Sequence, residues 1–108
     1  MPAATLRLDK WLWYARFCKT RSQAQALIEQ GHVTINGVEV SKAAIPVGVG
    51  LEFSIDLGPW RRTIRVLALG ERRGPATEAR GLFVDLSPPS RLPPGDARPL
   101  PGVRRGFG

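Results

Sequence analysis

One histidine, His32, and one cysteine, Cys18, are the side chains best suited to nucleophilic or metal chemistry, and they stand fourteen positions apart. A structural zinc site needs about four ligands, which this pair cannot supply. A thiol with an imidazole base could attack a substrate in principle, but no third group is placed to orient the base. Gly48 and Gly50 lack the lysine and hydroxyl that follow the glycines of a phosphate-binding loop. An enzyme is therefore not expected, and neither is a metal or other cofactor.

The chemistry that remains is charge. Five cations fall between Arg7 and Arg21 (Arg7, Lys10, Arg16, Lys19 and Arg21), against one carboxylate, Asp9. Such a surface attracts a polyanion, and phosphates are the obvious one. Asp9, alone among these cations, suits orienting arginine or lysine side chains, or capping a helix, better than acid–base work. The whole chain of 108 residues carries a formal charge of +7. Charge alone does not separate RNA from DNA or from a membrane surface.

The elements that must position these residues are legible from periodicity. Leu8, Trp11, Leu12 and Ala15 recur at helical spacing and define one apolar face, with Lys10, Trp13, Tyr14 and Phe17 pointing elsewhere. Thr20 reads as an N-cap with Gln23 three residues on completing a capping box, and the second helix buries Ala24, Leu27 and Ile28 before ending at Gly31. Val33 and Ile35, then Asn36-Gly37, then Val38 to Val40 spell a hairpin. Leu51 to Leu57 and Arg62 to Ala68 alternate as two further strands, broken by Gly58-Pro59. The fold class expected is α+β, with a two-helix hairpin packed on a small antiparallel sheet. Leu8, Trp11, Leu12, Ala24, Leu27, Ile28, Val33, Phe53, Ile64 and Val66 are the expected core.

Three regions follow. Residues 6–69 form the domain, and residues 70–86 a weakly structured extension, either a ragged helical turn near Ala76 to Phe83 or an extended edge at Leu82 to Leu86. From Ser87 to Gly108 six prolines and four glycines leave little to bury, which reads as a disordered tail. The single cysteine excludes an internal disulfide. The start has no apolar signal core and no run is apolar enough to cross a membrane, so a cytoplasmic, monomeric protein without membrane contact is expected.

On this framework Arg7, Lys10, Arg16, Lys19 and Arg21 cluster beside two adjoining helix starts. The second start adds free backbone N–H groups, and Thr20 and Ser22 add hydroxyls. Thr20 is equally a purely structural cap. Trp13 and Tyr14 are candidates for stacking on an exposed base, or else pack against the 70–86 segment. Gln25, Gln30 and Lys42 complete the expected contacts, with Gln23 an outer one. Arg61, Arg62 and Arg65 read instead as a solvated strand edge that blocks pairing with a neighbour.

Arg7-Leu8-Asp9, then Lys19-Thr20-Arg21-Ser22 with Ala24, then Gly31-His32-Val33 leading to Asn36-Gly37, resemble the alpha-L RNA-binding motif of ribosomal protein S-four. The resemblance covers about Leu6 to Leu69. The start Arg7 to Trp13 with Ala15-Arg16, and the later Arg72-Arg73, Pro75-Ala76 and Glu78-Ala79, further resemble the heat-shock protein 15 family. That resemblance implies a non-catalytic binder of ribosomal RNA on the large ribosomal subunit. It also implies a part in stress-related rescue or recycling of subunits stalled with a nascent chain on transfer RNA. The end departs from that pattern, with a Pro/Gly/Arg tail where the family has a lysine-rich helical extension. The runner-up reading is a general basic nucleic-acid binder, of RNA or DNA, or an adaptor.

Overall fold

A computed structural model describes residues 4–92. Strand β1 (Leu6–Arg7) leads into helix α1 (Leu8–Tyr14), and helix α2 spans Arg21–Glu29. The hairpin β2 (Val33–Ile35) and β3 (Val38–Val40) is followed by β4 (Pro46–Val47), β5 (Glu52–Leu57) and β6 (Trp60–Val66). A helical turn α3 (Ala76–Ala79), a 3-10 turn (Arg80–Leu82), β7 (Phe83–Asp85) and β8 (Ser90–Arg91) complete the described chain. The main sheet is antiparallel in the order β3-β2-β5-β6-β7, with β8 also paired to β6, while β1 and β4 form a separate pair.

Local chemistry explains the helix ends. Thr20 Oγ1 accepts from the Gln23 backbone N–H at 3.0 Å, as a capping residue should. Gln23 returns the favour one residue early: its Oε1 accepts from the Lys19 N–H at 2.9 Å, so the box closes on Lys19 instead of Thr20. At the other end Gly31 takes φ +83°, with Gly31 N–H on the Ile28 carbonyl and His32 N–H on that of Leu27. This is a Schellman closure, and glycine adopts its left-handed step without a Cβ clash. Asn36 and Gly37 both have positive φ, as a two-residue hairpin turn between twisted strands requires.

All ten residues expected in the core are buried. Trp11 is its centre, edge-on to Phe53 (5.8 Å) and Phe83 (6.4 Å), with its indole N–H donating to the Ala68 carbonyl at 3.0 Å. Each fully buried large side chain here contributes roughly 1.5–3 kcal/mol through lost apolar hydration. His32 is buried as well, its Nδ1 3.0 Å from the Asp56 carbonyl, in a structural role between α2 and β5.

Four details differ from the reading of the sequence. Tyr14 does not face away from the core but is buried, because residues 70–82 fold over it. The 70–86 extension is no loose appendage: helical turn and strand both form, and the Leu82 carbonyl accepts from the N–H groups of Leu67 and Ala68. What secures it is Leu82 and Phe83, which join the core beside Trp11 and Phe17. Strand β6 is interior rather than an edge, so its arginines guard no open strand. Within the stretch assigned to the tail, Ser90–Arg91 pair with Trp60–Arg61, and Leu92 is buried with its N–H on the Pro59 carbonyl. The remaining tail, including Arg98, Arg104 and Arg105, lies outside the described residues.

Candidate nucleic-acid interface

Asp9 organises the cationic surface. Its carboxylate is fully buried, yet four groups converge on it. Arg7 makes a two-point contact, Nε to Oδ1 and a terminal nitrogen to Oδ2, both at 3.1 Å. Gln25 Nε2 donates to Oδ2 at 3.0 Å, and the Lys10 backbone N–H donates to Oδ1 at 2.8 Å. Arg21 Nε lies 3.5 Å from Oδ2, buried and without a hydrogen-bond partner, while 40% of the Arg21 side chain stays exposed. Burial pushes the Asp9 carboxyl up, but the hydrogen bonds from Arg7, Gln25 and Lys10 N–H, with the charge of Arg21, outweigh it and hold it below the ordinary carboxylate value. One buried negative charge thus fixes two half-exposed guanidinium groups on the starts of α1 and α2.

Backbone contacts bring a third segment to this place. The Asp9 N–H donates to the Ala43 carbonyl and the Leu8 N–H to that of Ile45, which sets exposed Lys42 beside the start of α1. Lys10 Nζ lies 5.6 Å from the centroid of the Tyr14 ring beneath it. Lys10, Lys19 and Lys42 form no ion pair with a carboxylate among the described residues. Ser22 and Lys19 are exposed at the start of α2.

The sheet arginines behave differently. Arg61 grips Asp56 at 2.7 and 3.2 Å, Arg62 grips Asp85 at 3.1 and 2.9 Å, and Arg65 holds Glu52 at 2.9 and 2.6 Å. Each is neutralised by a carboxylate on the sheet, so this second patch adds little net field. The contrast leaves the helix starts as the cationic pole.

Other expected contacts divide. Arg16 closes α1 in a Schellman arrangement, with its own N–H on the Trp13 carbonyl and the Phe17 N–H on that of Leu12. It does so at φ +63°, a conformation costing a side chain roughly 1 kcal/mol. Its Nε donates to the Gly74 carbonyl at 2.7 Å, so it staples the 70–74 loop to α1 as well as adding charge. Arg16→Gly should therefore unfold at higher denaturant than Arg16→Ala, by about 1 kcal/mol, because both lose the staple and only alanine keeps the strain. Equal midpoints in urea melts would show that the loop relaxes to suit either residue.

Trp13 is half-buried, 5.9 Å from both the Tyr14 ring and the Arg73 guanidinium, so packing against the extension is its realised role, as it is for Tyr14. Thr20 is committed to its cap. Gln30 sits at the far end of α2, away from the cluster. Arg73 was not legible as part of this site. It donates to the carbonyls of Trp13 (3.1 Å) and Cys18 (3.2 Å), tying the turn between the helices to a segment some sixty residues later, and no local spacing signals that. The Cys18 thiol beneath is buried and pushed up to about 11 by desolvation, against the opposing pull of Arg73, so it is a protonated core group at neutral pH.

Comparison with known proteins shows the family to which this fold belongs. The S4 domain family matches residues 6–53. Heat shock protein 15 of Escherichia coli is 45% identical over 86 residues, covering 80% of this chain and 64% of that protein, so the chain spans under two thirds of that relative's length. The RQC P-site tRNA stabilizing factor of Listeria innocua is 37% identical over 78 residues, covering 70% of this chain and 84% of the relative. Among solved structures, the trimeric heat shock protein 15 of Vibrio cholerae superposes with a TM-score of 0.68 at 35% identity, over 78% of this chain and 84% of that one. With its Asp9-centred helix starts and its extension folded onto the end of α1 and the turn after it, the chain belongs to the heat shock protein 15 family of S4-domain proteins.

Proposed function

We propose that this protein binds ribosomal RNA on the large ribosomal subunit through the starts of α1 and α2, without chemistry of its own. The observation that carries the reading is the uneven neutralisation of its cations. Arg61, Arg62 and Arg65 are each matched by a carboxylate, while Arg7 and Arg21 share one buried Asp9 and Lys10, Lys19 and Lys42 have none among the described residues. A surface of this kind recognises folded RNA by phosphate positions and shape. Arg7, Lys10, Arg16, Lys19, Arg21, Ser22, Gln25 and Lys42 form the proposed contact face. Names of its relatives refer to heat shock and to stabilising P-site tRNA, which supports a cytoplasmic role in rescuing stalled large subunits that still hold tRNA. The helices are seven and nine residues long, too short for an obvious major-groove reader of DNA.

Sedimentation of cell lysate through a sucrose gradient tests this reading. The protein is expected to migrate with large subunits, and more so after heat stress. Its absence from that fraction under both conditions would overturn ribosome binding in favour of a general nucleic-acid binder.

A further inference from the structure

The β5–β6 hairpin reaches past the helices that cover its inner face. Side chains alternate along a strand, and the register pairs Phe53 with Ile64, Ile55 with Arg62 and Leu57 with Trp60, so all of these share the face on which the helices lie. Cover extends as far as Arg62. Its guanidinium lies 5.1 Å from the Phe17 ring and 5.3 Å from that of Phe83, and closes the end of the core.

Beyond Arg62 the face is open. Trp60 is 43% exposed, and with Leu57, Arg62 and Pro89 it lines a groove of about 560 Å³. That is within the size range of small-ligand sites. Arg91 is directly opposite Trp60 in the sheet and its guanidinium lies 5.7 Å from the indole, with no carboxylate paired to it among the described residues. The groove is thus an aromatic and aliphatic floor with unpaired Arg91 on one side and Arg62, already held by Asp85, on the other. Through Phe17 it adjoins the turn that carries Arg16 and Lys19.

We propose that this groove receives an unpaired base of the bound RNA, stacked on Trp60, with an adjoining phosphate at Arg91. The inference rests on the RNA-binding reading above and extends that contact across the α1–α2 turn onto the sheet. Aromatic faces with neighbouring arginines are the general means of holding single-stranded bases. A peptide partner fits less well. The apolar floor is a few residues across, and the unpaired Arg91 with the adjoining basic turn favours a polyanion.

The test uses the full chain and a short single-stranded oligouridylate, with a blunt RNA duplex alongside. Of the three tryptophans, Trp11 is buried and Trp13 half-buried, so Trp60 dominates any change in indole emission caused by base stacking. Oligouridylate should quench that emission. Trp60→Ala should weaken its binding roughly tenfold, as loss of one base–aromatic stack does, while Trp60→Phe retains most of it. Duplex affinity should stay unchanged in both variants, with circular dichroism confirming the fold. Wild-type affinity of Trp60→Ala for oligouridylate would overturn this inference alone, as would emission that responds to an apolar peptide and not to RNA. Failure of the wild-type chain to bind either RNA would overturn the helix-face reading and this one together.

Discussion

Alanine at Lys10, Lys19, Arg21 and Lys42 together is expected to weaken binding to a large-subunit rRNA fragment by ~100-fold or more at moderate salt. Each lost phosphate contact removes roughly 0.7–0.9 released counterions, so the slope of log affinity against log salt should flatten by about three. Arg16 is left in place because its side chain holds the Gly74 carbonyl and its positive φ would penalise alanine, confusing a binding loss with a folding one. A matched control removes Arg65 with its partner Glu52, which changes no net charge and should cost affinity almost nothing. Filter binding across a salt series reads both variants, with circular dichroism as a check on folding. An unchanged slope in the quadruple variant would mean that the helix starts are only a solvated surface. Equal losses in the two variants would mean that the binding face lies elsewhere.

The largest effect on stability is expected at Asp9. Asp9→Ala strands two guanidinium groups, the Gln25 amide and the Lys10 N–H, all of which converge on the buried carboxylate. Breaking a buried pair from one side costs about 3–5 kcal/mol. Arg7 and Arg21 are half in water and recover some solvation, so about 2–3 kcal/mol is expected. Against a total of about 5–15 kcal/mol for a small domain, that is a large fraction.

The same site sets a pH dependence. Asp9 is held below its ordinary value of 3.8 in the folded chain. Its contribution is therefore fully present above that value and is lost as pH falls through the lower folded one. Urea midpoints of wild type and Asp9→Asn should differ at neutral pH and converge in acid. A gap that persists well below the folded value would assign the loss to packing rather than to the charge.

Much of this fold was legible because its signals are local. The capping Thr20, the C-terminal Gly31, the Asn36-Gly37 turn and the change from helical to alternating spacing all act within a few residues of themselves. Local steric and hydrogen-bond preferences settle such features before any distant contact forms. The clustering of Arg7, Lys10, Arg21 and Gln25 was legible for the same reason, since two short helices joined by one turn must present their starts together.

What the sequence by itself determined was the order of elements, the residues of the core and the sign of the surface. Tertiary structure alone decided which cations keep their charge available. Arg61, Arg62 and Arg65 look as basic as the helix cluster until the strand register sets a carboxylate against each one. Partners five to twenty-three residues apart follow no fixed spacing. Tyr14 and Trp13 look like open aromatics until residues 70–82 fold over them. The physical reason is common to both cases. Exposure and neutralisation depend on what another part of the chain brings near, and only packing supplies that.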